Sequence, residues 1–278
     1  MITSARQLKD KIRNLANANN ADPQILMRIY MIERLLARIS ESKFKDNFIL
    51  KGGALIASMV GIGERSTMDL DTTIRNRNVS IEDVQELMNE LICVDIEDGV
   101  SFSIKSVTNI MDETEYPGIR VSMDAMFDGI VTPVKVDLST GDIITPDAEI
   151  YAYHFMLGDG SIDLWAYPLE TILAEKVETI ISRATLNTRM RDYYDIYELT
   201  KVYGNKTDME LLKKAVFATS EKRGTASLFE SVSARVEDIH SSGYLQKLWE
   251  EYRTKYPYAR SLSWEDVMGA VSSLCKKL

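Results

Sequence analysis

The chain is poor in the residues that build most redox and transition-metal centres. Of its 278 residues, two are cysteine and two are histidine. Cys93 and Cys275 stand far apart with no CxxC pairing. That spacing excludes a disulfide framework and a zinc cluster, and makes a reducing cytoplasm the natural compartment. His154 and His240 are isolated, so any metal would have to be held by oxygen. Long apolar runs are missing as well. The opening MITSARQLKDKIRN is polar and has no stretch suited to a signal peptide or a membrane span, so no membrane partner is expected. Positive charge is in deficit, with 33 Lys and Arg against 42 Asp and Glu and a net charge of −9. A broad basic coat for non-specific nucleic-acid binding is thereby excluded, while a local basic groove on an acidic body is not. No repeat period marks a solenoid, and no low-complexity tract marks a linker.

What remains is a globular composition, 45% hydrophobic and 27% charged, with a length that suits two ordinary domains. Residues 1 to about 46 read as helical. Asp22 before Pro23 has the form of an N-cap with proline in the first turn, ahead of the apolar stripe of ILMRIYMIERLLARIS. FILKGGALIASMV reads as a short strand, a Gly-Gly break and a short helix. MDLDTTIRN alternates as a strand, and Ser80 with Asp83 caps SIEDVQELMNELICV. VSFSIKSV is a strand candidate. IRVSMDAMF and VTPVKVDLS flank Asp128-Gly129, the strongest hairpin signal in the chain. From about residue 166 the pattern is helical: Pro168 opens one helix, Gly204 closes another, and Ser263 with Asp266 caps the last. These elements predict an α/β or α+β layer over residues 1–165 and a helical domain over 166–278. HFMLGDGSIDLW is the expected connector.

The chemistry concentrates in Gly52-Gly53, Arg65-Ser66-Thr67 and Asp69-Leu70-Asp71. Residues i and i+2 of a strand share a face, so Asp69 and Asp71 present two carboxylates together and Leu70 faces the other way. Adjacent like charges call for a cation between them, and magnesium binds one or two carboxylates beside substrate phosphates. Glycines at a helix start let backbone N–H groups approach an anion closely. Lys51 and Arg65 are near enough in sequence to neutralise a triphosphate there, and Ser66 and Thr67 add hydroxyl donors. Asp137 is the expected third metal ligand, on the same strand face as Lys135, with Asp124 across the hairpin as the alternative. Further on, Lys176 and Arg183 lie two helical turns apart on one face, and Asp192 and Asp195 are helix-surface neighbours. Such a pairing fits a phosphate-binding wall opposite an acceptor site. For each of these a plainer reading exists, as solvated strand acids or as salt bridges on helix faces. Arg75 and Arg77 read as a surface loop, and His154 and His240 as structural.

Gly-Gly followed by Arg-x-Thr-x-Asp-Leu-Asp and a later strand Asp resembles the DNA-polymerase-beta-like nucleotidyltransferase superfamily. With Leu173-Ala174-Glu175-Lys176 and Arg191-Asp192-Tyr193-Tyr194-Asp195-Ile196, the finer resemblance is to the AbiEii/AbiGii toxin family, over roughly residues 48 to 200. That resemblance implies a nucleotidyltransferase core with a mixed sheet, followed by a helical lobe. It implies an NTP substrate and two magnesium ions on Asp69, Asp71 and Asp137. Gly52 and Gly53 would bind nucleotide, Lys176 would contact the triphosphate, and Asp192 would act on the acceptor. It also implies a toxin of a toxin–antitoxin or abortive phage infection system, with the 3′ end of tRNA as acceptor and a cognate antitoxin. Two other functions stay open at this stage. One is transfer to a small molecule such as an aminoglycoside, or to a protein hydroxyl. The other is a nucleotide-binding module without turnover.

Overall fold

A computed structural model of the protein describes residues 2–77, 79–111 and 117–278. The chain forms two compact units. Residues up to Asp142 join Glu149–Ala166 in the first, and Ile143–Ala148 join Tyr167–Leu278 in the second.

The first unit opens with helices α1 (Ala5–Asn19) and α2 (Pro23–Glu41). Ser4 accepts from the Gln7 N–H to start α1, and Asn20 stops it in a left-handed conformation. Asp22 caps α2 by accepting from the Gln24 N–H, with Pro23 at the first position. Next come β1 (Phe48–Lys51), α3 (Gly52–Val60), β2 (Leu70–Ile74) and α4 (Ile81–Ile92). β3 (Ser101–Met111), β4 (Pro117–Phe127), β5 (Ile130–Thr140), β6 (Glu149–His154) and β7 (Ser161–Ala166) complete the unit. The strands form one mixed sheet in the order β3-β4-β5-β2-β1-β7-β6. β2 runs parallel to β5 and antiparallel to β1, and β1 runs parallel to β7.

Alternation decides which face of the sheet carries function. On β5, Val134, Val136 and Leu138 are buried, and on β4 so are Ile119, Val121 and Met123. The residues between them point the other way. α2, apolar over most of its circumference, packs against β5, β7 and α4. Asp128 and Gly129 both have positive φ, 42° and 78°, as a two-residue hairpin of the mirror-image type requires.

HFMLGDGSIDLW departs from expectation. It is not a connector but the second half of the β6–β7 hairpin, which places Tyr151 opposite Leu164 and Tyr153 opposite Ile162. Gly158, Asp159 and Gly160 belong to the turn, closed by the Phe155 N–H on the Gly160 carbonyl, while Asp163 lies within β7. Alternation in EIYAYH and SIDLWA outweighs the turn composition between them.

The second unit holds α5 (Leu169–Arg183), α6 (Met190–Tyr203), α7 (Met209–Lys222), α8 (Val232–Ser241), α9 (Gly243–Lys255) and α10 (Trp264–Cys275). α5 packs on α6 and α7, and α6 packs on α9 and α10. Pro168 precedes α5, Gly204 ends α6, and Ser263 with Asp266 forms a complete capping box on α10. His240 pairs with Glu265 at 2.6 Å. Among the described residues, no helix is long and apolar enough to cross a membrane.

One buried acid sets a pH dependence. Glu33 of α2 is 1% exposed, and its Oε1 accepts from the Met156 N–H at 2.7 Å, fixing the β6–β7 turn to the helix. Burial pushes its carboxyl up to about 8, against the lowering effects of that hydrogen bond and of Arg34. An acid with a raised folded pKa stabilises fully below its unfolded value, and that stability is lost as pH rises through the folded value. Glu33→Gln keeps the acceptor and removes the titration. Between pH 5 and pH 8.5 the parent should lose on the order of a few kcal/mol that the variant keeps. Parallel Tm-versus-pH curves for the two proteins would refute this.

Candidate active site

Four charged residues line up across four neighbouring strands. β4 places Arg120 opposite Asp137 of β5, β5 places Asp137 beside Asp71 of β2, and β2 places Asp71 opposite Lys51 of β1. Residues paired across strands share a face, so the row reads Arg120, Asp137, Asp71, Lys51 on one side of the sheet. The next register position puts Val121, Val136 and Leu70 side by side, all buried, and these seat the row from below.

Two carboxylates thus sit on adjacent strands, each with a cation on its outer side. Arg120 grips Asp137 through Nε–Oδ1 at 2.7 Å and Nη2–Oδ2 at 2.6 Å, a bidentate pair. That hydrogen bonding pushes Arg120 further up, and the fields of Asp69 and Asp71 add to the effect. Lys51 turns aside to Asp142 at 2.6 Å. Burial pushes Asp142 up, but Lys51 and the Ser139 and Thr73 hydroxyls outweigh it and hold the carboxyl at about 2.

Asp71 is the pivot. Burial pushes its carboxyl up, the Gly53 N–H and Lys51 pull it down, and Asp137 and Asp69 raise it again. β2 begins at Leu70, so Asp69 stands at the strand entry rather than within it, still close enough to act on both Asp71 and Arg120. The Gly53 N–H donates to Asp71 Oδ2 at 3.1 Å. Gly52 has φ +63°, and a Cβ there would lie 2.2 Å from the same oxygen. Glycine is therefore required twice over, for the backbone angle and for the close approach of the acid. A Cβ on Gly53 would lie 2.8 Å from Thr67 Oγ1 and 3.1 Å from an Arg65 guanidinium nitrogen. Arg65, 2% exposed, also donates to the Ser66 carbonyl, and Thr67 Oγ1 donates to the Asp69 carbonyl at 3.1 Å. The Arg65–Thr67 segment is thus folded onto the glycine turn.

The other residues singled out from sequence lie elsewhere. Asp124 pairs with Lys105 at 3.0 Å, away from the row, which removes it as the alternative third ligand. Arg75 donates to the Asp46 carbonyl, and Arg77 stacks on Phe44. In the helical unit, Lys176 contacts Asp192 at 3.0 Å and Asp195 at 2.7 Å. The expected wall of cations facing a wall of acids is thus, within this unit, one interlocked cluster. Asp195 is fully buried, and Asp192 Oδ2 is buried with no hydrogen-bond partner among the described residues. Arg183 is the last residue of α5. Sequence reading missed Arg120 and Asp142. Counting back from the two-residue turn at Asp128-Gly129 pairs 120 with 137, so Arg120 was findable; Asp142 follows β5 in a segment without pattern.

Among the described residues, no group of three or more His, Cys, Asp or Glu side chains is arranged to hold one metal ion. The donors near Asp71 nevertheless fit a hard cation. Asp69 and Asp71 supply two carboxylates, which with substrate phosphates and water suffice for magnesium. Asp137 joins them only if Arg120 releases it.

A mixed sheet with a Gly-Gly turn into a helix and acids on the following strand defines a nucleotidyltransferase core. The chain belongs to the AbiEii family, "Nucleotidyl transferase AbiEii toxin, Type IV TA system", whose model matches residues 34–270. It is thus a nucleotidyltransferase of a type IV toxin–antitoxin family. Its fold resembles that of JHP933 from Helicobacter pylori, with TM-score 0.51 and 13% identity over 92% of this chain and 91% of the other. A second H. pylori structure, described as a candidate nucleotidyltransferase, gives TM-score 0.50 and 14% identity over 92% and 94%. Comparison with curated proteins finds no match.

Two substitutions test this geometry. Gly52→Ala should keep the fold by circular dichroism but lower nucleotide transfer by about a hundredfold or more, because it drives Asp71 from its place. Transfer within about twofold of the parent would show that the turn does not position the acid. Lys176→Ala leaves Asp195 buried without this cation and should destabilise the protein by about 3 kcal/mol, with Lys176→Arg losing less. An unchanged Tm in Lys176→Ala would mean that the cluster carries no structural load.

Proposed function

We propose that the protein transfers a nucleotide from an NTP to the 3′ end of tRNA in a metal-dependent reaction, as the toxin of an abortive phage infection system. The observation that supports the chemistry is Asp71 held against the Gly52–Gly53 turn, with Asp137 paired beside it across β2 and β5 and Asp69 at the strand entry. A divalent ion on Asp69 and Asp71 would supply Lewis-acid stabilisation of charge on the phosphate oxygens. The chain's own groups do the rest. The N–H groups at the start of α3 would bind phosphate oxygens. Arg65 and Lys51 add positive charge, and Ser66 and Thr67 add hydroxyls. Lys176 and Arg183 take the triphosphate roles of the family's second motif. Arg120 offsets the negative charge of the row and sets the availability of Asp137.

In the transfer step the acceptor hydroxyl oxygen bonds to the α-phosphorus. The bond to the α–β bridging oxygen breaks, and pyrophosphate leaves. Asp137 or Asp192 takes the hydroxyl proton, and each is engaged by a cation, Asp137 by Arg120 and Asp192 by Lys176. The acidity of the chain, −9 overall, favours a second reading in which the acceptor is a small molecule or a protein hydroxyl.

The test is to incubate the protein with each labelled NTP, magnesium and total tRNA, and to follow the label. Label on tRNA, reduced more than about a hundredfold by Asp69→Asn, is the expected result. Label on no RNA with any base would end the tRNA reading, and full transfer by Asp69→Asn would end the metal-site reading.

A further inference from the structure

One surface of the helical unit combines aromatic rings with positive charge, in a chain whose net charge is −9. α9 ends at Lys255, and the chain continues through Tyr256, Pro257 and Tyr258 to Arg260. The Tyr256 and Tyr258 rings stack, 5.4 Å apart with 26° between planes, and Tyr252 lies 4.6 Å from Tyr256. The Tyr252 and Tyr258 hydroxyls are 3.0 Å apart. Behind them, buried Tyr194 of α6 lies 4.8 Å from Tyr258, and buried Trp249 lies 5.4 Å from Tyr252. The ledge is thus rooted in the core, while Tyr256 and Tyr258 remain part exposed.

Cations gather at its outer ring. The Arg191 guanidinium lies 5.6 Å from the Tyr256 ring centre and the Lys255 ammonium 5.4 Å. Arg260 is exposed at the end of the bend, and Arg253 braces it by donating twice to the Arg260 carbonyl, at 2.7 and 3.1 Å. A hydrophobic core edge needs the rings but not this collar of charge. Arg191 directly precedes Asp192, whose buried Oδ2 lacks a partner among the described residues. Ring and cation side by side match a nucleic acid whose bases are unstacked: the base lies on the ring, and the phosphates meet the cations. A duplex would offer the phosphates alone.

We propose that Tyr256, framed by Arg191 and Lys255, is a stacking platform for the unpaired 3′ end of an RNA acceptor. This rests on the tRNA reading above and names how the acceptor is held.

The experiment uses the full chain carrying Asp69→Asn, without NTP. Fluorescence anisotropy measures binding of a labelled RNA hairpin with a short unpaired 3′ overhang, against the same hairpin blunt-ended. The overhang should bind more tightly. Tyr256→Ala should weaken overhang binding by about tenfold and leave the blunt hairpin unchanged, and Tyr256→Phe should restore it. Arg191→Gln with Lys255→Gln should weaken both RNAs and flatten the salt dependence, and this pair keeps the rings should Tyr256→Ala lower Tm. Overhang affinity unchanged in both variants overturns the proposal. So does an equal loss on the blunt hairpin, or a protein partner that binds the ledge while RNA affinity ignores it. Label transfer to tRNA by the parent, with overhang binding indifferent to Tyr256, sinks this inference alone. Overhang binding that depends on Tyr256, with no transfer to any RNA, sinks the proposed function alone.

Discussion

The first unit depends on forcing two carboxylates, Asp71 and Asp137, onto neighbouring strands at the same register. Backbone pairing brings the acids together whatever their charges prefer, and the buried row of Val121, Val136 and Leu70 keeps that register from slipping. Repulsion across the pair is then relieved from outside, by Arg120 on one flank and Lys51 on the other. The cationic neighbours, the glycine turn and the seating of the strands are all answers to that one electrostatic conflict.

The helical unit solves a similar problem differently. Lys176 is shared between Asp192 and the fully buried Asp195, so one cation satisfies two acids. The cost of burying Asp195 makes Lys176 a structural residue as well as a candidate phosphate ligand. Both acids hold the lysine ammonium itself, and Asp192 keeps one buried oxygen without a partner among the described residues.

Local physics made most of the elements legible. Asp22-Pro23, Ser80, Pro168, Gly204 and Ser263-Asp266 act where capping chemistry puts them, because caps depend on a few neighbouring atoms. The Asp128-Gly129 turn was readable for the same reason. The β6–β7 hairpin was not, since the glycine-rich turn GDG carried the same composition as a linker and only pairing distinguishes the two. In the site, the nearness of Asp69, Asp71 and the glycine turn followed from spacing along one segment. Arg120 and Asp142 are partners in space, brought in by register and by a loop after β5, and motif reading does not see them. Asp124 shows the converse, since the right residue type on the right hairpin lies too far along its strand to join the row.

The contact between the Gly53 amide and Asp71, with Gly52 pressed against the same carboxylate, makes the turn and the acid a single mechanical unit. The Gly53 amide spends its hydrogen bond on the Asp71 carboxylate, so the helix start and the strand acid are tied to each other directly. A substitution at one position is therefore felt at the other, since a Cβ on Gly52 would lie 2.2 Å from the Asp71 carboxylate oxygen.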